Sequence, residues 1–161
     1  MNGVVQGVIP GDQGPLPTIP TAKDTVQIFS TTFGLSAPTG AGGVPIGRIN
    51  ASPVALIKRF DRASPKLLRA ALTHENLTIE ITWFMTFQGL TQKTVTIRLD
   101  DAVITDIQAA ADLHGTTVSD AETVTVTYSR LTFSTPIIDP TTHRVTGFTS
   151  VCIDAANNTT C

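Results

Sequence analysis

The sequence has few aromatic and charged residues, and it has no long apolar run. Aromatic side chains make up 6% and charged side chains 15% of the 161 residues, with a formal net charge of −2. Proteins that bind nucleic acids use basic patches and rings that stack on bases, so this composition argues against a nucleic-acid partner. No apolar stretch reaches the roughly 20 residues of a membrane-spanning helix, which argues against membrane insertion.

The N-terminus also lacks the pattern of a secretory signal. Residues 1–14, MNGVVQGVIPGDQG, contain no basic region, and their apolar block is short. We therefore expect the protein to be made and folded in the cytoplasm and, if it leaves the cell, to be secreted without a cleaved signal peptide. The two cysteines, Cys152 and Cys161, could close a small disulfide loop, but two free thiols are the expectation in a reducing cytoplasm.

Groups of residues that perform catalysis or bind metals are also missing. The three histidines, His74, His114 and His143, lie in separate turn-like segments without the spacing of a zinc site. Neither cysteine has a neighbouring histidine that could activate it as a nucleophile. Asp100 and Asp101 are adjacent, so on a strand they would point to opposite faces, and a turn or strand end explains them better. We therefore predict no catalytic residue, no metal and no cofactor, and hence no enzyme.

The residues that are abundant favour β-strands. Threonine, valine and isoleucine alternate with polar residues over many segments, and a hydrophobic fraction of 41% is enough for a core. We predict one domain over residues 1–161 with about eight strands, including 4–9, 25–34, 54–60, 77–88, 93–100, 102–110, 121–134 and 145–154. Residues 112–122 are predicted to form a polar loop. The apolar parity changes between Tyr128 and Leu131, which predicts a bulge near Ser129 or a segment covered on both sides.

A single short helix is predicted within residues 60–72, FDRASPKLLRAAL. Ser64 is in position to cap its N-terminus, and Pro65 fits the first turn because that turn does not use its N–H. The apolar stripe at helical spacing is formed by Leu67, Leu68, Ala71 and Leu72. So short a helix is marginal alone, so we expect it to pack on the flank of a compact antiparallel β-barrel or sandwich.

Residues 37–53 form a long segment rich in glycine and proline between two predicted strands. Loops of this length in a compact domain are usually functional or mobile. An insertion without any partner is the alternative. No phosphate-binding pattern accompanies its glycines, since neither a helix nor a Lys-Ser pair follows them.

Residues 57–72, IKRFDRASPKLLRAAL, resemble the signature of the haemolysin-coregulated protein (Hcp) family, the tube proteins of the type VI secretion system. The family pattern is a strand ending in a lysine and an aspartate, then Ser/Thr-Pro and a leucine-rich helix, and it is matched by Lys58, Asp61, Ser64, Pro65, Leu67, Leu68 and Ala71. Further segments resemble the family in the same order along the chain: 26–36, 96–108, 122–134 and 142–158.

The resemblance implies a tight β-barrel that assembles into hexameric rings, and these stack into a hollow tube. It also implies three further partners: a contractile sheath, a spike protein and small effector proteins carried in the lumen. Within that frame we expect Val44, Pro45 and Ile46 to form the apolar tip of a loop that reaches a neighbouring subunit or ring. We expect Ser30 and Thr32 to lie on the lumen wall, although strand residues on an ordinary solvent face are nearly as good an interpretation.

Other functions remain open from the sequence. A monomeric β-barrel that binds a small ligand would be stable alone and would carry an interior pocket with a few inward polar groups. A tail-tube-like subunit of another contractile injection device is a close variant of the secretion-tube interpretation. Light scattering or native mass spectrometry distinguishes a ring of six from a monomer.

Overall fold

The computed structural model describes residues 1–16, 18–19, 22–44, 46–87, 89–114 and 117–161. Its single α-helix in this part of the chain is α1 (Ser64–Leu72), and residues 41–43 form a short 3-10 helix. The strands are β1 (Asn2–Gly3), β2 (Gly7–Val8), β3 (Ile28–Thr32), β4 (Leu35–Ser36), β5 (Asn50–Ala51), β6 (Val54–Lys58), β7 (Leu77–Phe87), β8 (Leu90–His114), β9 (Thr117–Thr127), β10 (Arg130–Ile138), β11 (Val145–Asp154) and β12 (Thr159–Thr160). Within these ranges, no helix is long and apolar enough to cross a membrane.

Ten strands form one antiparallel sheet that is divided in two by the long strand β8. The first half of β8 pairs with β7 and β10 and belongs to a layer with the order β12-β11-β10-β8-β7-β1-β2, the seven-strand layer. The second half, from Val103 onward, pairs with β9, which pairs with β6, which pairs with β3. These four segments are the four-strand layer. The predicted antiparallel, mainly β fold with one helix is confirmed.

The core lies between the two layers and beneath the helix. The seven-strand layer contributes Leu77, Ile79, Ile97, Leu99 and Leu131, and the four-strand layer contributes Val54, Leu56, Val124 and Val126, all nearly inaccessible to solvent. In both layers the buried residues alternate with exposed or half-buried ones, as expected for sheets with one face against the core. Burial of this apolar surface is the main stabilising contribution to the fold.

The helix docks on the core through a different stripe from the predicted one. Leu67 and Ala70 are buried, together with Ala63 just before the helix, whereas Leu68 is 53% and Leu72 77% exposed. The prediction that Leu68 and Leu72 belong to the stripe that packs on the sheet was therefore wrong, and Ala70, which was not placed in that stripe, is buried. A small alanine at the contact allows the helix backbone to approach the sheet closely, which a leucine there would prevent.

Several predicted strand boundaries were also wrong. Residues 93–100 and 102–110 form one strand, β8, because Asp101 adopts a left-handed conformation (φ 51°) that turns the strand from one layer to the other without ending it. The predicted strand 121–134 is two strands, β9 and β10, joined by residues 128–129 at the place where the parity changes. Strand residues also occupy described parts of the predicted polar loop at 112–122.

The predicted strand at 4–9 is a hairpin instead. β1 and β2 pair around a turn at residues 4–6, and Gly7 has a positive φ of 67°. The Glu75 carboxylate accepts the backbone N–H groups of Val5 (2.6 Å) and Gln6 (2.7 Å) and the side-chain amide of Gln6 (2.7 Å). This side chain comes from the connection between α1 and β7, so the turn could not be inferred from its own sequence.

Candidate assembly surface

Within the described residues, the four-strand layer ends in an edge strand on each side. β3 pairs with β6 on one side only, and beyond Ala102 the described part of β8 pairs only with β9. A strand edge carries free N–H and C=O groups, which can pair with a strand of another chain. The layer therefore has two places for intermolecular β-pairing, at its opposite edges.

The outer face of this layer carries many hydroxyl groups. Ser30 and Thr32 of β3 are exposed and lie opposite Ile57 and Ala55 of β6, which in turn lie opposite Thr123 and Thr125 of β9. Because directly opposed residues point to the same side of a sheet, these side chains share one face. We call the set the hydroxyl face; it comprises Ser30, Thr32, Thr123, Thr125 and Thr127.

The opposite edge strand extends this face with polar and small side chains. Asp106 and Gln108 of β8 lie opposite Thr125 and Thr123, and the Gln108 amide donates a hydrogen bond to the Asp106 carboxylate (3.0 Å). The outer face is thus mostly hydroxyl, amide or small, with Ile57 as a half-exposed apolar residue. Thr31 points the other way, opposite the buried Leu56. The structure therefore brings the two residues predicted for a lumen wall, Ser30 and Thr32, onto one exposed surface.

A buried ion pair holds the four-strand layer to the helix. Lys58 is 0% exposed, and its ammonium pairs with the carboxylates of Glu122 and Asp61 (2.8 Å to Asp61) and donates to the Ser64 hydroxyl (3.0 Å). The Ser64 hydroxyl accepts the Asp61 N–H (3.1 Å) and donates to Glu122. Burying an ammonium requires such partners. The sequence signature included Lys58, Asp61 and Ser64, but Glu122 lies far along the chain and was not associated with them.

Contrary to the prediction, Ser64 is not the N-cap of the helix. It is the first helical residue, the N-cap position is Ala63, and no side-chain capping bond is made there. The Asp61 carboxylate accepts the Ala63 N–H (2.9 Å) instead. The hydroxyl of Ser64 is taken by the buried ion pair, which is a stronger partner than a backbone N–H. Pro65 lies in the first turn, as expected.

The described residues of the predicted long loop form a hydrogen-bonded arm. β4 and β5 pair with each other, and the chain between them turns through hydrogen bonds from Gly40 N–H to Val44 C=O (2.9 Å) and from Ile46 N–H to Pro38 C=O (2.7 Å). We call β4, β5 and residues 37–49 the arm. Val44 is 61% and Ile46 54% exposed at its tip. Pro45, the third residue of the predicted tip, lies outside the described residues.

The C-terminal tail is tied back onto β11 by a disulfide. β12 pairs with the end of β11, and this brings Cys161 beside Cys152, with a Cα–Cα distance of 5.2 Å and the Cys161 N–H donating to the Cys152 carbonyl (3.2 Å). The expectation of two free thiols was wrong, because the short β12 strand was not predicted. The pair is within the usual distance range of bonded cysteines.

The turn before β12 contacts the arm. The Asp154 carboxylate accepts the backbone N–H (2.8 Å) and the side-chain amide (2.9 Å) of Asn157, and these bonds hold the pKa of Asp154 below its ordinary value. The next residue, Asn158, has a positive φ of 59°, and its side-chain oxygen accepts the N–H of Ile49 in the arm (3.1 Å). Arg48 reaches the carbonyl of Asn157 (3.5 Å).

Between the free edge of β3 and β7 there is an open cleft of about 810 Å³. It is lined in part by Met1, Ile9, Phe29, Thr31, Trp83 and Phe84. Elsewhere, no group of three or more histidine, cysteine, aspartate or glutamate residues within the described ranges could hold a metal ion. His74 and His143 lie in separate turns, and His143 stacks on Phe87 with ring centroids 4.7 Å apart.

Comparison of the sequence with known proteins points to one protein family. Residues 9–134 match the sequence model of a family described as type VI secretion system effector, Hcp. The major exported protein of Pseudomonas aeruginosa is 37% identical over 114 residues, covering 65% of this chain and 60% of that protein. The match therefore spans less than two thirds of the curated relative.

Solved structures agree with the fold. The secreted protein Hcp3 from Pseudomonas aeruginosa is 29% identical, with a TM-score of 0.68, and the match covers 95% of this chain and 94% of that one. An Hcp protein with 22% identity gives a TM-score of 0.77, and a type six secretion system protein with 16% identity gives 0.80, both over 95% of this chain and 94% of the other. Because the latter two proteins have low sequence identity to this chain, their similarity supports the fold and nothing further.

Proposed function

Since the chain belongs to the Hcp family of type VI secretion proteins, we propose that it is a structural subunit of the secretion tube, assembling into hexameric rings that stack. In this proposal it acts by repeated contact with copies of itself and not by catalysis. The tube engages a spike protein and a contractile sheath and carries small effector proteins in its lumen. The subunit forms in the cytoplasm and leaves the cell with the tube.

The observation that carries this proposal is the pair of free edges on the four-strand layer. β3 and the second half of β8 run in opposite directions, because three antiparallel pairings separate them. The β3 edge of one subunit can therefore pair with the β8 edge of the next, and the antiparallel alternation continues across the junction. One interface repeated head to tail in this way closes into a ring when the rotation between neighbouring subunits is a whole fraction of a turn, one sixth for a hexamer.

The hydroxyl face supports the assignment of the lumen wall. If the four-strand layers join into a ring with the core outward, the hydroxyl face of every subunit lines the interior. Hydroxyl groups can exchange hydrogen bonds with water and with a passing protein, and they provide little apolar surface for tight binding. Ser30 and Thr32 are then wall residues at the junction between subunits.

The exposed tip of the arm supports the proposal that neighbouring rings contact each other through the arm. Its tip exposes Val44 and Ile46 on a hydrogen-bonded scaffold, so it can bury these side chains on another molecule without first having to order itself. We assign this tip, with Pro45, to contact with an adjacent subunit or ring.

Ring formation is tested by native mass spectrometry and by cysteine crosslinking across the proposed junction. A Ser30→Cys substitution is combined in turn with Asp106→Cys, Gln108→Cys or Ala110→Cys, all on the outer face. Within one chain the two edges are separated by three strand spacings, about 14 Å, so a bond can form only between chains. We expect one pairing to give a covalent ladder of up to six subunits. Ser30→Cys alone is the control; rings that never crosslink would contradict the edge assignment.

Stacking is tested by deleting residues 40–48. The variant should remain folded and form rings, because none of the described residues in this segment belongs to the core, but it should no longer form tubes in electron micrographs. Tubes of normal length would refute the role of the arm.

The cleft beside β3 favours one alternative, a monomeric barrel that binds a small ligand. Its volume of about 810 Å³ is within the range of ligand sites. A mass that stays monomeric at every concentration would support this alternative and exclude the tube subunit, whether the tube belongs to this system or to a related contractile injection device.

A further inference from the structure

The tail disulfide and the arm are linked by a chain of contacts. The disulfide holds β12 against β11, the turn between them presents Asn158, and the Asn158 side chain accepts the N–H of Ile49 at the base of the arm. Residues 49 and 158 are 109 positions apart in sequence. The pairing of β12 with β11 extends over only two residue pairs, Ile153 with Thr160 and Asp154 with Thr159.

We propose that the Cys152–Cys161 disulfide is a redox-controlled clasp that fixes the base of the arm and so strengthens stacking between rings, without affecting ring closure. The consequence for stacking rests on the proposed function given above. The coupling between disulfide and arm rests only on the contacts within one subunit.

The disulfide stabilises the tail, residues 155–161, because its pairing with β11 is short. A strand with only two residue pairs is expected to fray, since its few hydrogen bonds do not offset the entropy of ordering it. Closing the loop of residues 152–161 removes most of that freedom and keeps the turn in the shape that presents Asn158. When the bond is open, the Asn158 acceptor is lost for part of the time, and the base of the arm keeps the hydrogen bonds that the Ser52 N–H (2.9 Å) and the Ser52 hydroxyl (2.9 Å) donate to the Gly34 carbonyl.

The redox step is an ordinary thiol–disulfide exchange. A thiolate of a dithiol reductant attacks one sulfur of the pair, a mixed disulfide forms, and the second thiol of the reductant releases it. Two electrons and two protons pass to Cys152 and Cys161, and the reductant becomes a disulfide. The reverse exchange closes the pair: a small-molecule disulfide is attacked by one cysteine thiolate, the other cysteine displaces it from the mixed disulfide, and it leaves as two thiols. Thiols in a reducing compartment favour the open state, and disulfides in an oxidising exterior favour the closed state. Stacking would therefore strengthen when rings meet oxidising surroundings.

Ring closure is expected to be independent of this clasp. The edges proposed for ring pairing belong to the four-strand layer, whereas the disulfide lies at the outer edge of the seven-strand layer. Among the described residues, no hydrogen bond of the tail reaches β3 or the second half of β8.

The coupling is tested first in the full-length chain by amide hydrogen exchange, with and without dithiothreitol. We expect the Ile49 amide to exchange about tenfold faster after reduction, as for loss of one hydrogen bond. Asn158→Gly removes the acceptor and tolerates the positive φ of this position, so it should give fast exchange even when oxidised. Asn158→Asp keeps an acceptor oxygen and should behave like the unchanged protein. Ile49 exchange that is unaffected by reduction would overturn the proposal.

The consequence for stacking is tested by sedimentation velocity and electron microscopy under the same conditions. The oxidised protein should form long stacks, and both the reduced protein and oxidised Asn158→Gly should give several-fold shorter stacks of intact rings. A Cys152→Ser, Cys161→Ser double variant should give short stacks with or without dithiothreitol. Equal stacking in both redox states would overturn this consequence. Absence of rings in every condition would instead refute the proposed function, and the exchange of Ile49 would still decide the coupling.

Discussion

Lys58 and Glu122 are directly opposed across the β6–β9 ladder, and their side chains form an ion pair beneath the first turn of α1. The same ammonium also reaches Asp61 and Ser64, so one buried charge connects two strands, the loop before the helix and the helix itself. The strand edges and the hydroxyl face are thereby fixed to the rest of the subunit. The ion pair thus connects the four-strand layer, which carries the proposed assembly surface, to the helix.

We predict that Lys58→Met lowers the free energy of unfolding by about 3–5 kcal/mol, because it leaves two carboxylates near each other without their cation. The measurement is urea unfolding followed by circular dichroism. Arg59→Met is the matched control: Arg59 pairs with Asp120 at the surface (3.1 Å), and its loss should cost about 1 kcal/mol or less. A double variant with Glu122→Leu should lose less than the two single losses combined. Equal effects of the Lys58 and Arg59 substitutions would contradict this account.

The helix contact gives a second prediction from neighbouring leucines. Leu67→Ala should lower the free energy of unfolding by about 2–5 kcal/mol, because it leaves a cavity in the core. Leu68→Ala should lower it by well under about 1 kcal/mol, because Leu68 is half exposed. Both substitutions change helix propensity equally, so the difference between their unfolding free energies reports the packing of the side chain. Similar losses in the two variants would mean that the helix docks on the stripe predicted from the sequence.

The fold class could be predicted from the sequence because alternation and turn residues are local signals. β7 and β11 lie where alternation predicted them, and α1 lies within the predicted segment. The stripe of α1 could not be predicted in detail. A hydrophobicity count favours Leu68 and Leu72 over Ala70, but the space between helix and sheet selects the smaller side chain.

Features that depend on contacts between distant residues were missed. Asp101 was interpreted as a strand end, since nothing local indicates that β8 continues into a second layer. The disulfide was missed because β12 has only two residues, and the partner of Lys58 was missed because Glu122 is 64 positions away. Such pairings are set by topology, which the local sequence pattern does not contain.

A third prediction concerns the hydroxyl face. Ser30→Asp should change the amount of effector retained per ring without changing ring formation, because the carboxylate would alter the charge of the wall and leave the core untouched. The measurement is quantitative mass spectrometry of rings purified from secreting cells. Thr149→Asp, on the exposed part of β11 in the other layer, is the control and should leave retention unchanged. Identical cargo in the Ser30 variant and the unchanged protein would remove Ser30 from the wall.

The last prediction concerns the pH dependence that Glu75 gives to stability. The N–H of Gln6, followed by its side-chain amide and the N–H of Val5, holds the pKa of the Glu75 carboxyl below its ordinary value of 4.5, although partial burial opposes this. A pKa lowered on folding means that the native state favours the ionised form. The stabilisation is therefore complete above the ordinary pKa and is lost as the pH falls through the lower native pKa.

Glu75→Gln keeps an oxygen acceptor for the turn but cannot ionise, so it isolates this contribution. We expect Glu75→Gln to be less stable than the unchanged protein at about pH 7, and the difference in unfolding free energy to shrink towards about pH 3. Asp139 and Asp154 also have lowered pKa values through backbone N–H donors, but they are present in both proteins and cancel in the comparison. A difference that stays constant over this range would mean that the hairpin turn is held by the shape of the side chain and not by its charge.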